Sequence, residues 1–233
     1  MKNGFIFGVL VGVAAAVAIT AMAMSNGKIG GQDEQKVSVP TQKQEDVVKE
    51  EEQKQPAAVS NQDKVEFIGE EGKSAVLKIK KSGGAVEVKE GTMSEPLFNP
   101  SKTQLALISP FGWEEMAELL VYDFETEKWK TAVAYDKQQQ RGPKGVLWAD
   151  DQRLLVIIGK TYGTVNVGGQ VYVYDLQSGG LTQATDYPDK IQITSISKDE
   201  SGMVTLQGIL YTDAELNDHV PYEEKQPLSK FIQ

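Results

Sequence analysis

The sequence predicts an all-β domain, an antiparallel meander of propeller-blade-like repeats, carried behind a membrane segment and a charged tether. Three observations predict it. Short runs rich in β-branched, aromatic and leucine residues recur beyond residue 65: LALIS at 105–109, LLVYDF at 119–124, LLVIIG at 154–159 and VYVYDL at 171–176. Turn signals separate them, at Asn99-Pro100, Ser109-Pro110, Gly142-Pro143, Gly168-Gly169 and Ser178-Gly179-Gly180. The pattern also repeats at an offset of about 50 residues.

The elements follow in order. After a short tail (1–3), residues 4–24 form one uncharged apolar run. At about 1.5 Å per residue such a helix crosses the roughly 30 Å core of a bilayer. We read it as a retained signal anchor. Lys2 and Ala21-Met22-Ala23 could end a cleaved signal peptide, but the apolar stretch exceeds the usual 7–15 residues or so. Gly4, Gly8, Gly12 and Ala16 share one helix face, a spacing that suits a helix-mediated homodimer, although such residues are common in membrane helices anyway. Lys28, Lys36 and Lys43 follow the helix while only Lys2 precedes it, so charge does not favour an inside N-terminus. A short tail before a long polar region is the layout of a domain facing outward, at the cell membrane. A cytoplasmic-facing scaffold is the other orientation.

Residues 25–64 contain no aromatic side chain and are dominated by Lys, Glu, Asp and Gln. They cannot bury enough apolar surface to offset their ordering entropy, so a disordered linker is expected. As a coil it would span on the order of 35 Å.

Residues 65–233 then supply the domain. Lys78-Ile79-Lys80 and Val86-Glu87-Val88 alternate as half-exposed strands do. The sequence from Leu97-Phe98-Asn99-Pro100-Ser101 through Leu105–Ile108 and Val121-Tyr122-Asp123 to Trp129 overlays Leu147-Trp148-Ala149-Asp150-Asp151, Leu154–Ile157, Val173-Tyr174-Asp175 and Leu181. That order is the plan of a four-stranded propeller blade. Phe67–Leu77 and Ile196–Leu206 read as partial copies. Two full blades and two partial ones give a small or incomplete propeller; a β-sandwich is the alternative.

Within this domain 25 acidic residues stand against 17 basic ones, a balance that disfavours a nucleic-acid partner. The absence of cysteine removes thiol nucleophiles, disulfides and zinc–cysteine sites.

The segments ISPFGWEEMAELLVYD (108–123) and LLVIIGKTYGTVNVGGQVYVYD (154–175) resemble the signatures of the domain of unknown function 4652 family. The resemblance extends over roughly residues 90–220 and implies one compact β domain of Gram-positive spore formers, often behind a membrane segment or as a lipoprotein. It implies no activity.

No catalytic motif stands up to inspection, and no cofactor or metal is expected. His219 is the only histidine and lies in a polar segment. Gly72-Lys73-Ser74 ends like a phosphate loop, but its first glycine would fall at Phe67. Asp213, Glu215, Asn217 and Asp218 lack the glycine and distal Glu of a calcium loop. Glu114, Glu115 and Glu118 read as a charged loop.

One surface remains. The stretches 110–117 and 160–169 occupy the same place in the two clear repeats and carry Phe111, Trp113 and Tyr162, with Gly163, Gly168 and Gly169 for backbone freedom. By analogy of fold they emerge on one face. The alternative is that the aromatics fold back as caps on the core. The expected role is therefore a membrane-tethered, non-catalytic binding or sensing domain for an envelope protein or glycan. A hydrolase acting on envelope glycans or peptides is the competing expectation.

Overall fold

The computed structural model describes residues 60–232, so the membrane helix expected over 4–24, the glycine face expected on it and nearly all of the expected linker 25–64 lie outside the described residues. Among the described residues no helix is long and apolar enough to cross a membrane. Asn61–Lys64 form a 3-10 turn joined to the domain through Asn61 Nδ2, which donates to the Lys102 carbonyl at 2.9 Å.

Among the described residues, fourteen strands form four antiparallel sheets in chain order. The first holds β1 (Val65–Ile68), β2 (Ser74–Lys80) and β3 (Val86–Thr92). The second holds β4 (Leu97–Phe98), β5 (Gln104–Ser109), β6 (Glu118–Asp123) and β7 (Lys128–Val133). The third holds β8 (Arg141–Trp148), β9 (Arg153–Lys160), β10 (Gln170–Asp175) and β11 (Leu181–Gln183). The fourth holds β12 (Ile191–Lys198), β13 (Met203–Tyr211) and β14 (His219–Pro227). The two complete repeats are thus the two four-stranded sheets, and four sheets in sequence replace the two of a sandwich.

Strand alternation explains how the sheets stack. Successive side chains of a strand point to opposite faces, so a strand buried on both faces is apolar throughout. In β5, Leu105 and Leu107 meet Ala75, Leu77 and Ile79 of β2, while Ala106 and Ile108 meet Leu154, Val156 and Ile158 of β9. In β9, Leu155 and Ile157 turn the other way, toward Val204 and Leu206 of β13. The end sheets bury one face only, and Val76, Lys78 and Lys80 of β2 look outward. Three cores join consecutive sheets, and among the described residues none joins the first to the last. The assembly is an open run of blades.

The repeated Tyr-Asp pair has a structural purpose. Asp123 Oδ1 accepts from the Thr126 amide at 2.8 Å and its hydroxyl at 2.9 Å, and Asp175 Oδ1 accepts likewise from Ser178 at 2.7 and 2.8 Å. Each aspartate closes the turn into the outer strand of its sheet. The same segments also stitch the repeats together: Ser101 N donates to Asp151 Oδ1, its equivalent, at 2.7 Å and Trp148 Nε1 donates to the Leu97 carbonyl at 2.9 Å.

One sequence expectation is corrected. Gly142-Pro143 is not a turn but lies buried inside β8. β8 is an edge strand, where a missing N–H breaks no ladder, and its register shifts between Pro143 and Gly145. Lys144 is the extra residue of that bulge.

Candidate functional site

The connections β5–β6 and β9–β10 leave the sheets at one end, opposite the end stitched by Ser101 and Asp151. They flank a cleft of about 250 Å³ whose floor is Gly142-Pro143-Lys144 of β8. Phe111 enters half-buried and packs on the core between the second and third sheets. Trp113 stands at the cleft 62% exposed. Thr161 and Val167 line the facing side. Gly142 lets the first loop lie on β8, since a Cβ there would come within 3.1 Å of the Ala117 carbonyl.

The two loops also bond to each other. Gly163 N donates to Glu114 Oε1 at 3.3 Å, and Gly163 holds φ at +101°, a value that favours glycine. Asn166 shapes the second loop by donating from Nδ2 to the Tyr162 carbonyl at 2.7 Å and from its amide to the Gly163 carbonyl at 3.0 Å. Tyr162 is 39% exposed, and its phenol pKa is pushed up by desolvation, by Tyr135 beside it and by the charges of Glu114 and Glu115.

Lys144 is the functional candidate that sequence reading missed. Its Nζ donates to the Asn166 carbonyl at 2.5 Å, and burial pushes its pKa down. Among the described residues no carboxylate forms an ion pair with it. The only signal available was a lysine set between Gly142-Pro143 and Gly145, which reads as a turn.

Gly168 and Gly169 do not line this cleft. Gly169 exchanges two backbone hydrogen bonds with Ile193, at 2.9 and 3.1 Å, and joins the third sheet to the fourth. A Cβ on Gly168 would sit 2.3 Å from the Ile193 carbonyl oxygen, and one on Gly169 would sit 2.1 Å from that of Ile158. Both border a larger cleft of about 570 Å³. Three of the side-chain amides there are engaged: Gln170 holds Thr185 and Tyr187, Gln192 accepts from Gly168 N, and Gln183 accepts from Tyr172.

Glu114 and Glu115 line the cleft together, and acidic residues outside that loop are engaged elsewhere. Glu114 sits at the loop end, whereas Asp150 is paired with Arg153 at 2.6 Å at the opposite end. Asp213 accepts from the amides of Asn217 and Asp218 and so closes its own turn. His219 begins β14 beside the Tyr211 ring, 5.9 Å between centroids.

Residues 113–229 match the family model of a domain of unknown function, DUF4652. The chain belongs to this family. The DUF4652 segment begins at Trp113, includes Tyr162 and the whole second loop, and runs to the end of the fourth sheet. No curated protein matches the chain. Among solved structures, a protein named as a conserved lipoprotein from Clostridium novyi NT is 22% identical, with a TM-score of 0.53 over 58% of this chain and 86% of that one. That likeness shows the fold. The β-propeller domain of the Trilobed protease from Pyrococcus furiosus is 14% identical, covering 70% of this chain and 57% of that one at a TM-score of 0.39. Oligogalacturonate lyase from Vibrio parahaemolyticus is 11% identical, covering 74% and 50% at 0.44. The chain thus spans little more than half the length of these last two proteins.

Proposed function

We propose that this DUF4652 protein is a membrane-tethered, non-catalytic binding module of the cell envelope, which engages its partner through the cleft between 110–117 and 160–169. The observation that carries this reading is the convergence of two repeat-equivalent loops on one cleft with an exposed Trp113 at its mouth. An exposed large aromatic held by rigid flanking strands suits a partner contact, because its area is presented without much loss of side-chain freedom. The apolar run 4–24 supports attachment to the membrane, and the lipoprotein from Clostridium novyi accords with an envelope setting.

The test is co-sedimentation of the full-length protein, in detergent, with purified cell-wall sacculi. The wild type should sediment with them, and Trp113→Ala with Tyr162→Ala should remain in the supernatant at an unchanged melting temperature. Equal sedimentation of both would sink the reading, and a large drop in melting temperature would show that these aromatics are core caps. Protease shaving of intact cells carrying a C-terminal epitope should remove the tag. Protection until lysis would place the domain in the cytoplasm.

A further inference from the structure

We infer that Lys144 anchors a carboxylate borne on a sugar ring, so that the cleft selects a glycan carrying isolated carboxylates along an otherwise neutral chain. This rests on the reading of the cleft as a binding surface and adds the chemistry of its ligand.

The placement of Lys144 is the first ground. A bulge takes one residue out of the ladder and re-aims its side chain, and here that residue is a lysine flanked by Pro143 and Gly145. Its ammonium is half-buried at the floor of the cleft and carries three donors, of which the structure engages one, toward the Asn166 carbonyl. A desolvated cation with no paired anion is unfavourable until an anion arrives. A ligand carboxylate would complete the pair and accept the remaining donors.

The Trp113 indole argues for a carboxylate borne on a ring. Lys144 supplies a point charge and Trp113 an exposed aromatic face to the same cleft. The negative face of an aromatic ring attracts the polarised C–H face of a sugar. The volume of about 250 Å³ falls below the roughly 300–1,000 Å³ that holds a drug-sized ligand, which suits one ring seated in the cleft with its neighbours outside.

Glu114 and Glu115 border the same cleft. They repel a run of negative charge, as does the acidic domain as a whole. The ligand that satisfies Lys144 without meeting that repulsion has its carboxylates spaced apart by neutral sugars.

The experiment titrates the full-length protein in detergent, followed by tryptophan fluorescence, with an oligosaccharide of alternating glucuronate and N-acetylhexosamine. The control is the same oligosaccharide with its carboxyls reduced to alcohols. The acidic form should bind about tenfold more tightly at low salt. That preference should shrink as salt rises, and Lys144→Met, verified by its melting curve, should abolish the difference between the two oligosaccharides. Equal affinity of the wild type for both would overturn the role of Lys144 while leaving the binding surface intact. Failure of both oligosaccharides to bind, with sacculus co-sedimentation retained, would overturn the ligand assignment alone. Loss of co-sedimentation as well would remove the underlying reading. Lys144-dependent binding of a peptide with a free C-terminal carboxylate, but not of its amide, would reassign the site from sugar to peptide.

Discussion

The ammonium of Lys144 and the backbone carbonyl of Asn166 meet at 2.5 Å, joining a bulge in β8 to the middle of the β9–β10 connection. A charge held in place by a neutral carbonyl is a costly arrangement for stability alone. The predictions begin there.

Lys144 has a folded pKa below its ordinary value because burial disfavours the charged form. The unfolded chain therefore holds its proton to higher pH than the folded chain. Between the depressed folded pKa and the ordinary value near 10.4 the unfolded state binds more protons, so stability rises with pH in that window. Lys144→Met should lose this alkaline rise and melt no lower than the wild type at pH 7. Melting curves from pH 7 to 10.5 check it; identical slopes in the two proteins would count against a desolvated lysine.

Gly168→Ala and Gly169→Ala should each destabilise by about 2–4 kcal/mol, because the added Cβ meets backbone oxygen, that of Ile193 in the sheet-to-sheet bridge for Gly168 and that of Ile158 in the third sheet for Gly169. Gly163→Ala should cost about 1–3 kcal/mol through its positive φ. Urea unfolding separates these outcomes. Values near zero for the first two would mean that the bridge to Ile193 is not formed.

Tyr122 is fully buried, yet its hydroxyl has no hydrogen-bond partner among the described residues. Tyr122→Phe removes a desolvated polar group and keeps the ring packing against Phe124 and Trp129. It should be neutral or stabilising by up to about 1 kcal/mol. A clear loss of stability in chemical denaturation would imply a buried water or another partner at that hydroxyl.

Asp175 has its carboxyl pKa lowered by the backbone and hydroxyl hydrogen bonds of Ser178, and Asp199 by those of Ser201 and Met203. A depressed carboxylate pKa contributes stability above the unfolded value near 4, and that contribution is lost as pH falls through the folded value. Stability should therefore decline below about pH 4, and Asp175→Asn should decline less steeply. Denaturant midpoints between pH 2.5 and 6 read this directly.

The openness of the assembly is testable by contrast. Leu155→Ala, in a strand covered on both faces, should cost about 2–5 kcal/mol. Val88→Thr, on the uncovered face of the first sheet and 50% exposed, should change stability by less than about 0.5 kcal/mol. A large effect at Val88 would mean that another surface covers the first sheet.

Much of the architecture was legible in the chain because strand burial writes itself into alternation. LALIS and LLVIIG are continuous apolar runs since both faces of β5 and β9 are covered, whereas the Lys-Ile-Lys pattern of β2 marks a sheet with one face outward. The repeated Tyr-Asp pair marked the outer turns of the second and third sheets, because an aspartate accepting from a hydroxyl residue three positions on is a local motif.

The site was only partly legible. Phe111 and Trp113, singled out by loop length and aromatic content, line the cleft, whereas Tyr162 and Gly163 are not among its lining residues and Gly163 reaches it only through its bond to Glu114. Gly168 and Gly169 have the same sequence signature of freedom, but their partner, Ile193, lies outside the repeat. Lys144 was invisible because a bulge is defined by the register of two strands, and a proline in sequence does not say whether it sits in a turn or on a sheet edge.

The sequence by itself determined the central strands, most of the turns between them, the twofold repeat and the acidic, cysteine-free character of the domain, all of which follow from local periodicity and composition. Only the tertiary structure decided that the blades stay open, that two loops meet over Lys144, and that two glycines bind sheets together. These depend on which surfaces approach in space, and chain order does not carry that information.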